Sequence, residues 1–290
     1  MLARRGGTYT PRMTRCPPTA RLITPRRSLA ACVRAYVTRD TVGANLTPLQ
    51  RFNHVPASPA CAVTWFVQGS AQWVQGGMPA GPVVVCGPKS LPATSCNPGP
   101  VRVFTMLVMP DALRMLTGFD AGAQVNRSMA ADAVFDSDWM AMLHAVLAAA
   151  NDETRVRLIE DFMEPRWQAA RGETWPGARS FHDWTQSLAM RAAVSHIGRS
   201  LRQADRRIRS WAGMPLRTLH GLARVERSFL EAQSAHAQGR LNWAEVALDA
   251  GYADQSHMCR ESKRVTGSSP QRLLRRVEED EAFWIYRLWR

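Results

Sequence analysis

Lysine is nearly missing from this 290-residue chain: Lys89 and Lys263 are the only two, although Lys and Arg together number 37. A basic protein built on arginine is equipped for bidentate contacts to phosphate or guanine, although genome composition produces the same bias. No run of about 18 apolar residues occurs, which excludes an ordinary membrane-spanning helix. The cysteines Cys16, Cys32, Cys61, Cys86, Cys96 and Cys259 make no C-x-x-C pair and no dense framework. A reducing cytoplasmic setting is therefore expected rather than a disulfide scaffold. The start of the chain has arginines but no continuous apolar stretch of the secretory kind, and Met13 is a second candidate start. Enzyme signatures are missing as well. There is no G-x-S-x-G, and the seven histidines form neither H-E-x-x-H nor H-x-H. "VVVCGPKS" (83–90) imitates a strand and phosphate loop, but Pro82 stands where the motif needs glycine and Pro88 separates Gly87 from Lys89. No catalytic residue, metal ligand or cofactor is nominated.

What is present is charge in the wrong place for an even surface. Residues 1–40 carry a net +8, residues 41–175 a net −2 and residues 176–290 a net +7. A near-neutral middle between basic ends implies that only part of the protein meets a polyanion. The Pro- and Arg-rich residues 1–36 read as a disordered extension. From Val37 to Met109, β-type runs such as "CAVTWFV" (61–67), "AQWVQ" (71–75), "PVVVC" (82–86) and "VRVFTMLVM" (101–109) alternate with Gly and Pro breakers, the pattern of a small antiparallel barrel or sandwich. Trp65, Phe66 and Trp73 there are core residues or the lining of a ligand cavity, with core favoured. Helices follow at 111–118 behind an aspartate cap, 137–151 and 152–167, and "QAARGETWPGARS" (168–180) supplies a boundary. The expected fold is α+β: a β-rich sensing or dimerisation domain with a helical connector over 37–175, an all-α domain over 176–277 and a tail over 278–290.

The last third repeats itself. Aligning Gly213 with Gly267 sets Ser200 on Asp254, Ala204 on Met258, Arg206 on Arg260 and Ala193 on Ala247, so a small-residue helix, a turn, a polar cap, a basic helix and a closing glycine occur twice. In the second copy Asn242 caps a helix with Trp243, Val246, Ala247 and Ala250 on one face, Gly251 ends it, and Asp254 caps the next. So short a turn makes the two helices cross steeply, which is helix-turn-helix geometry. Met258 and Val265 then face inward, and Gln255, Ser256, Cys259, Arg260 and Lys263 face out, where such a helix enters the major groove. In the first copy Ser200 caps, Leu201, Ala204, Ile208 and Trp211 face inward, and Arg202, Arg206 and Arg209 line the other side. A long helix from "LRTLHGLARVERSFLEAQ" (216–233) separates the copies.

"ALDAGYADQSHMCRESKRVTGSSPQRLLR" (247–275), with its "DQSH" and "TGSSP", closely resembles the second helix-turn-helix of the AraC/XylS family of bacterial transcription regulators, and "GRSLRQADRRI" (198–208) resembles a variant first motif. The resemblance covers about residues 180–276. It implies base-reading positions at Arg202, Asp205 and Arg206 in the first motif and Gln255, Ser256, Cys259 and Arg260 in the second, with Gln203 and His257 beside them. It implies double-stranded promoter DNA as partner, with RNA polymerase, a small-molecule effector at the N-terminal domain and a second copy of the chain as further candidates. The chain departs from the family at Ser262, where an aromatic is usual. Ser262 falls on the inward face, so a phenylalanine there either fills a hole or meets a tail aromatic such as Trp284. The competing reading is a β-barrel enzyme or a ligand-free interaction module with an appended DNA-binding domain. The enzyme needs a His and carboxylate cluster in 40–110, where only His54 stands.

Overall fold

A computed structural model describes residues 16–171, 180–194 and 201–288. Its strands are β1 (Thr19–Ile23), β2 (Val33–Asp40), β3 (Phe52–Val55), β4 (Cys61–Gln68), β5 (Gln72–Trp73), β6 (Val83–Cys86), β7 (Ala93–Cys96), β8 (Arg102–Val108) and β9 (Ser128–Ala130). They form a six-stranded sheet in the order β1-β2-β8-β4-β6-β9 and a three-stranded sheet in the order β3-β7-β5, with antiparallel pairing throughout. The period-2 alternation of a strand decides what each face does. On β4 and β8, Val63, Trp65, Phe104 and Met106 are fully buried, and the Trp65 indole donates to the carbonyl of Leu143 at 3.1 Å. Their neighbours Ala62, Thr64, Phe66, Val103 and Thr105 border a cavity on the opposite face.

The ordered module starts earlier than the composition suggested. Residues 1–36 were expected to form a disordered extension, yet β1 pairs along its length with β2, and Leu29 and Cys32 are completely buried. The prolines and arginines there conceal short apolar elements that gain their partners only from distant parts of the chain. Residues 1–15 lie outside the described part.

Three helices follow: α1 (Pro110–Thr117), α2 (Ser137–Ala148) and α3 (Asp152–Ala170). Asp136 and Asn151 cap α2 and α3 through their side chains. Asp111 does not cap α1, as the sequence suggested; Met109 occupies the cap, Pro110 takes the first turn, and the Asp111 carboxylate is buried. It accepts from the Trp184 indole at 2.9 Å and the Arg191 guanidinium at 2.5 Å, both on α4 (Phe181–Val194).

Beyond α4 come α5 (Leu201–Ala212), α6 (Leu216–Ala237), α7 (Trp243–Asp249), α8 (Gln255–Thr266), α9 (Pro270–Glu279) and a 3-10 turn at Glu281–Arg287. One apolar cluster runs from Trp65 and Phe104 in the sheet through Leu143 and Ile159 to Leu188, Ile208, Leu222 and Val265. The helical last third therefore shares a core with the β-rich part, and the boundary read at 168–180 is one of composition; residues 172–179 lie outside the described part.

The tail aromatics settle against this body. Phe283 stacks on His54 of β3 at 4.4 Å between ring centroids, and Tyr286 meets Phe229 of α6. Burial pushes the His54 pKa down, Arg276 adds to that and Asp280 opposes it. A histidine kept neutral in the fold takes up its proton more readily once unfolded, so its contribution to stability is lost as pH falls through the ordinary histidine range near about 6.5. Melting temperatures should fall between about pH 7.5 and about pH 5 by less in His54→Phe than in the unaltered chain; parallel curves would assign the loss to other groups.

Candidate nucleic-acid interface

The second motif is built by local signals. The Asn242 side chain accepts from the amide of Ala244, and Val246 and Ala247 of α7 and its C-cap Ala250 are buried. Gly251 takes the left-handed conformation at φ 77° that ends the helix. Asp254 then caps α8 by accepting from the amide of His257 at 2.6 Å. Met258, Ser262, Val265 and Thr266 form the buried face of α8, and Gln255, Ser256, Arg260 and Lys263 are exposed. Gly221 of α6 lets α8 lie close, since a Cβ there would stand 2.6 Å from both the Arg264 guanidinium and the Glu261 carboxylate, which pair with each other at 3.0 Å.

The first motif repeats this in register. Helices α5 and α8 are each 12 residues long and each is followed by a glycine, Gly213 or Gly267, at φ 76°. Ile208 and Ser262, matched by the repeat, are both buried. Arg206 and Arg260, also matched, are both exposed. Between the motifs α6 runs for 22 residues, which at 1.5 Å per residue is about 33 Å. The cap expected at Ser200 and the side chain of Leu201 lie outside the described part.

The residues singled out from sequence divide by environment. Arg202, Arg206, Gln255, Ser256 and Arg260 are exposed, whereas Gln203, Asp205 and Cys259 are half-buried. Asp205 accepts from Arg209 at 2.8 Å, so this carboxylate already holds one arginine of its own helix. His257 packs edge-on against Tyr252, a structural contact. Ser262 does face inward, but its hydroxyl reaches the carbonyl of Ser268 at 2.8 Å instead of bonding back along its helix. The Trp284 indole donates to Asn53 of β3.

Sequence reasoning missed most of a second site. Between the two sheets lies a cavity of about 220 Å³. Phe66, Trp73, Val84, Val103 and Leu107 make most of its wall apolar, and Lys89 and Arg39 border it. Phe66 and Trp73 thus line a cavity, as the alternative reading had it, whereas Trp65 belongs to the core. The Lys89 ammonium sits 4.0 Å over the Trp73 ring, burial pulls its pKa down, and no carboxylate pairs with it among the described residues. No single run of sequence signals this site, because β3, β4, β6, β7, β8 and the tail each contribute to it.

Among the described residues no helix is long and apolar enough to cross a membrane, and no group of three or more His, Cys, Asp or Glu is placed to hold a metal ion. No curated protein matches the chain. Solved structures of ToxT from Vibrio cholerae are similar to it in outline. The form bound to (E)-4-(8-methylnaphthalen-1-yl)but-3-enoic acid is 10% identical, covering 89% of this chain and 97% of that one at a TM-score of 0.36. The form bound to an unsaturated fatty acid is 14% identical, covering 89% and 94% at a TM-score of 0.34. Those likenesses are loose, and the assignment rests on sequence: residues 180–276 match the family described as "Helix-turn-helix domain", over the stretch that holds α4 to α9. Residues 180–276 are a helix-turn-helix domain of the AraC type.

Proposed function

We propose that α5 and α8 are the recognition helices and read successive major grooves of promoter DNA. Arg202, Gln203, Asp205 and Arg206 serve one half of the site, and Gln255, Ser256, Cys259 and Arg260 the other. The observation that carries this is the matching of Arg206 with Arg260: exposed arginines at equivalent positions of two helices of equal length, each closed by a left-handed glycine. Arginine reads guanine through its O6 and N7, and glutamine suits adenine. In this reading residues 176–277 bind DNA, the β-rich part senses, and the protein acts in the cytoplasm on transcription by RNA polymerase without catalysing a reaction. Selection of bound fragments from random DNA would give the site, and the stoichiometry of the complex would count copies of the chain on it.

Arg206→Ala and Arg260→Ala, made in the full chain because its core is shared, should each cost about 1–3 kcal/mol of specific binding and relax base preference in one half-site only. Titrations against the selected site and against sequences altered in one half check this. An equal loss on all sequences would reduce these arginines to phosphate contacts.

The cavity is read as an effector site. Its apolar walls and one uncompensated ammonium suit a small molecule with an apolar body and a single anionic head, which Lys89 would meet. Dodecanoate should bind more tightly than dodecanol, and Lys89→Met should erase the difference while leaving dodecanol unaffected. Calorimetric titration separates these outcomes, and equal affinities for both probes would remove Lys89 from the site.

A further inference from the structure

We infer that the C-terminal segment 280–288 is a wall of the small-molecule site and the element through which an occupant acts on the second helix-turn-helix motif. This rests on reading the cavity as an effector site. Trp284 and Ile285 border the cavity from the side of the DNA-binding part, where they belong to no strand of either sheet.

The segment is held from two directions. Toward the β-rich part, the Trp284 indole donates to Asn53 at 2.8 Å, the Arg39 guanidinium lies 4.8 Å over the Trp284 ring, and Arg39 pairs with Glu281 at 2.5 Å. Arg39 and Asn53 themselves border the cavity. An occupant therefore meets the groups that hold Trp284 as well as Trp284 itself. Toward the DNA-binding part, Arg287 donates to the carbonyl of Val277 at 2.7 Å, and Phe283 and Tyr286 pack with Leu273 and Val277 of α9. Helix α9 follows α8 across a turn in which Ser262 and Thr266 both donate to the carbonyl of Ser268.

A second connection ends on the same helix. Pro56 and Ser58 border the cavity, and Ala57 between them donates its amide to the carbonyl of Val265 on α8 at 2.8 Å. Helix α5, by contrast, is tied to the β-rich part through Arg114 on Ser210, and neither residue borders the cavity. The coupling is therefore to α8 and the half of the DNA site that it reads. Differential contact with two placements of this segment is what gives an occupant a physical hold on DNA affinity.

The test uses the full chain, with dodecanoate as probe. Calorimetry on the unaltered protein, Trp284→Ala, Ile285→Ala and Trp284→Phe should show binding weakened about tenfold or more by Trp284→Ala, the loss of one large apolar contact. Ile285→Ala should weaken it by a smaller factor, and a second variant on the same wall guards against misfolding of the first. Trp284→Phe keeps the ring and removes the donor to Asn53, so it should retain most of the affinity for dodecanoate but transmit less of its effect to DNA. Footprints on the selected DNA should change with dodecanoate in the half-site contacted by α8 and stay constant in the other. Equal affinity of the unaltered chain and both alanine variants would overturn this inference while leaving the cavity as an effector site. Binding with a footprint change spread over both halves would overturn the coupling to α8. Failure of the unaltered chain to bind either dodecanoate or dodecanol would overturn the effector reading, and this inference with it.

Discussion

Asp111→Ala is expected to destabilise the protein by about 3–5 kcal/mol, the cost of removing one partner from a buried ionic contact. The carboxylate is 3% exposed, and both of its oxygens are used, one by the Trp184 indole and one by the Arg191 guanidinium. Trp184 is itself buried, so its N–H would face an apolar wall with no acceptor. Because Asp111 opens α1 and its partners lie on α4, the contact joins the β-rich part to the first helix of the DNA-binding part. Loss of it should lower the melting temperature of the whole chain in one transition, since the apolar cluster is continuous across that junction. Asp111→Asn keeps an acceptor for the indole and loses the charge facing Arg191, so an intermediate loss is expected. Thermal melts of the three proteins decide the matter, and a separate early transition confined to the helical third would show that the two parts unfold independently.

Ser262→Phe should also destabilise, by about 1.5–4.5 kcal/mol, combining overpacking of about 1–3 with a lost hydrogen bond worth about 0.5–1.5. The family resemblance favours an aromatic at this position, and a sequence reading allows for a hole that a ring would fill. The fold has used the position differently. Ser262 is 4% exposed and gives its hydroxyl proton to the Ser268 carbonyl at 2.8 Å, Thr266 donates to the same carbonyl at 3.1 Å, and the Ser268 amide donates back to Thr266. Together these bonds fix the turn from α8 into α9, with Gly267 in its left-handed conformation. A phenyl ring would displace that carbonyl and strand it. Ser262→Ala, which removes only the hydrogen bond, should cost about 0.5–1.5 kcal/mol. Urea unfolding of the full-length variants measures both, and a gain in stability from the ring would show that the space exists.

The helix-turn-helix part was legible in the sequence because its determinants are local. Asn242, Asp254, Gly213, Gly251 and Gly267 act on the few residues around them, and a cap or a left-handed glycine ends a helix in whatever fold it finds itself. The repeat then fixed which residues are equivalent, and with it the outward positions of Arg206 and Arg260 and the inward positions of Ile208 and Ser262. Tertiary structure decided everything that depends on partners distant in the chain. Burial of Leu29 and Cys32 within a stretch that reads as disordered needs β1 paired with β2 and the helices packed behind them. The direction of the Ser262 hydroxyl depends on a turn that closes after it, and the burial of Asp111 depends on α4. The cavity, finally, is assembled from residues between Val37 and Ile285 that share no run of sequence. Strands bury alternate residues only against whatever packs on each face, so only packing made the face that holds Thr64, Phe66 and Thr105 a cavity wall.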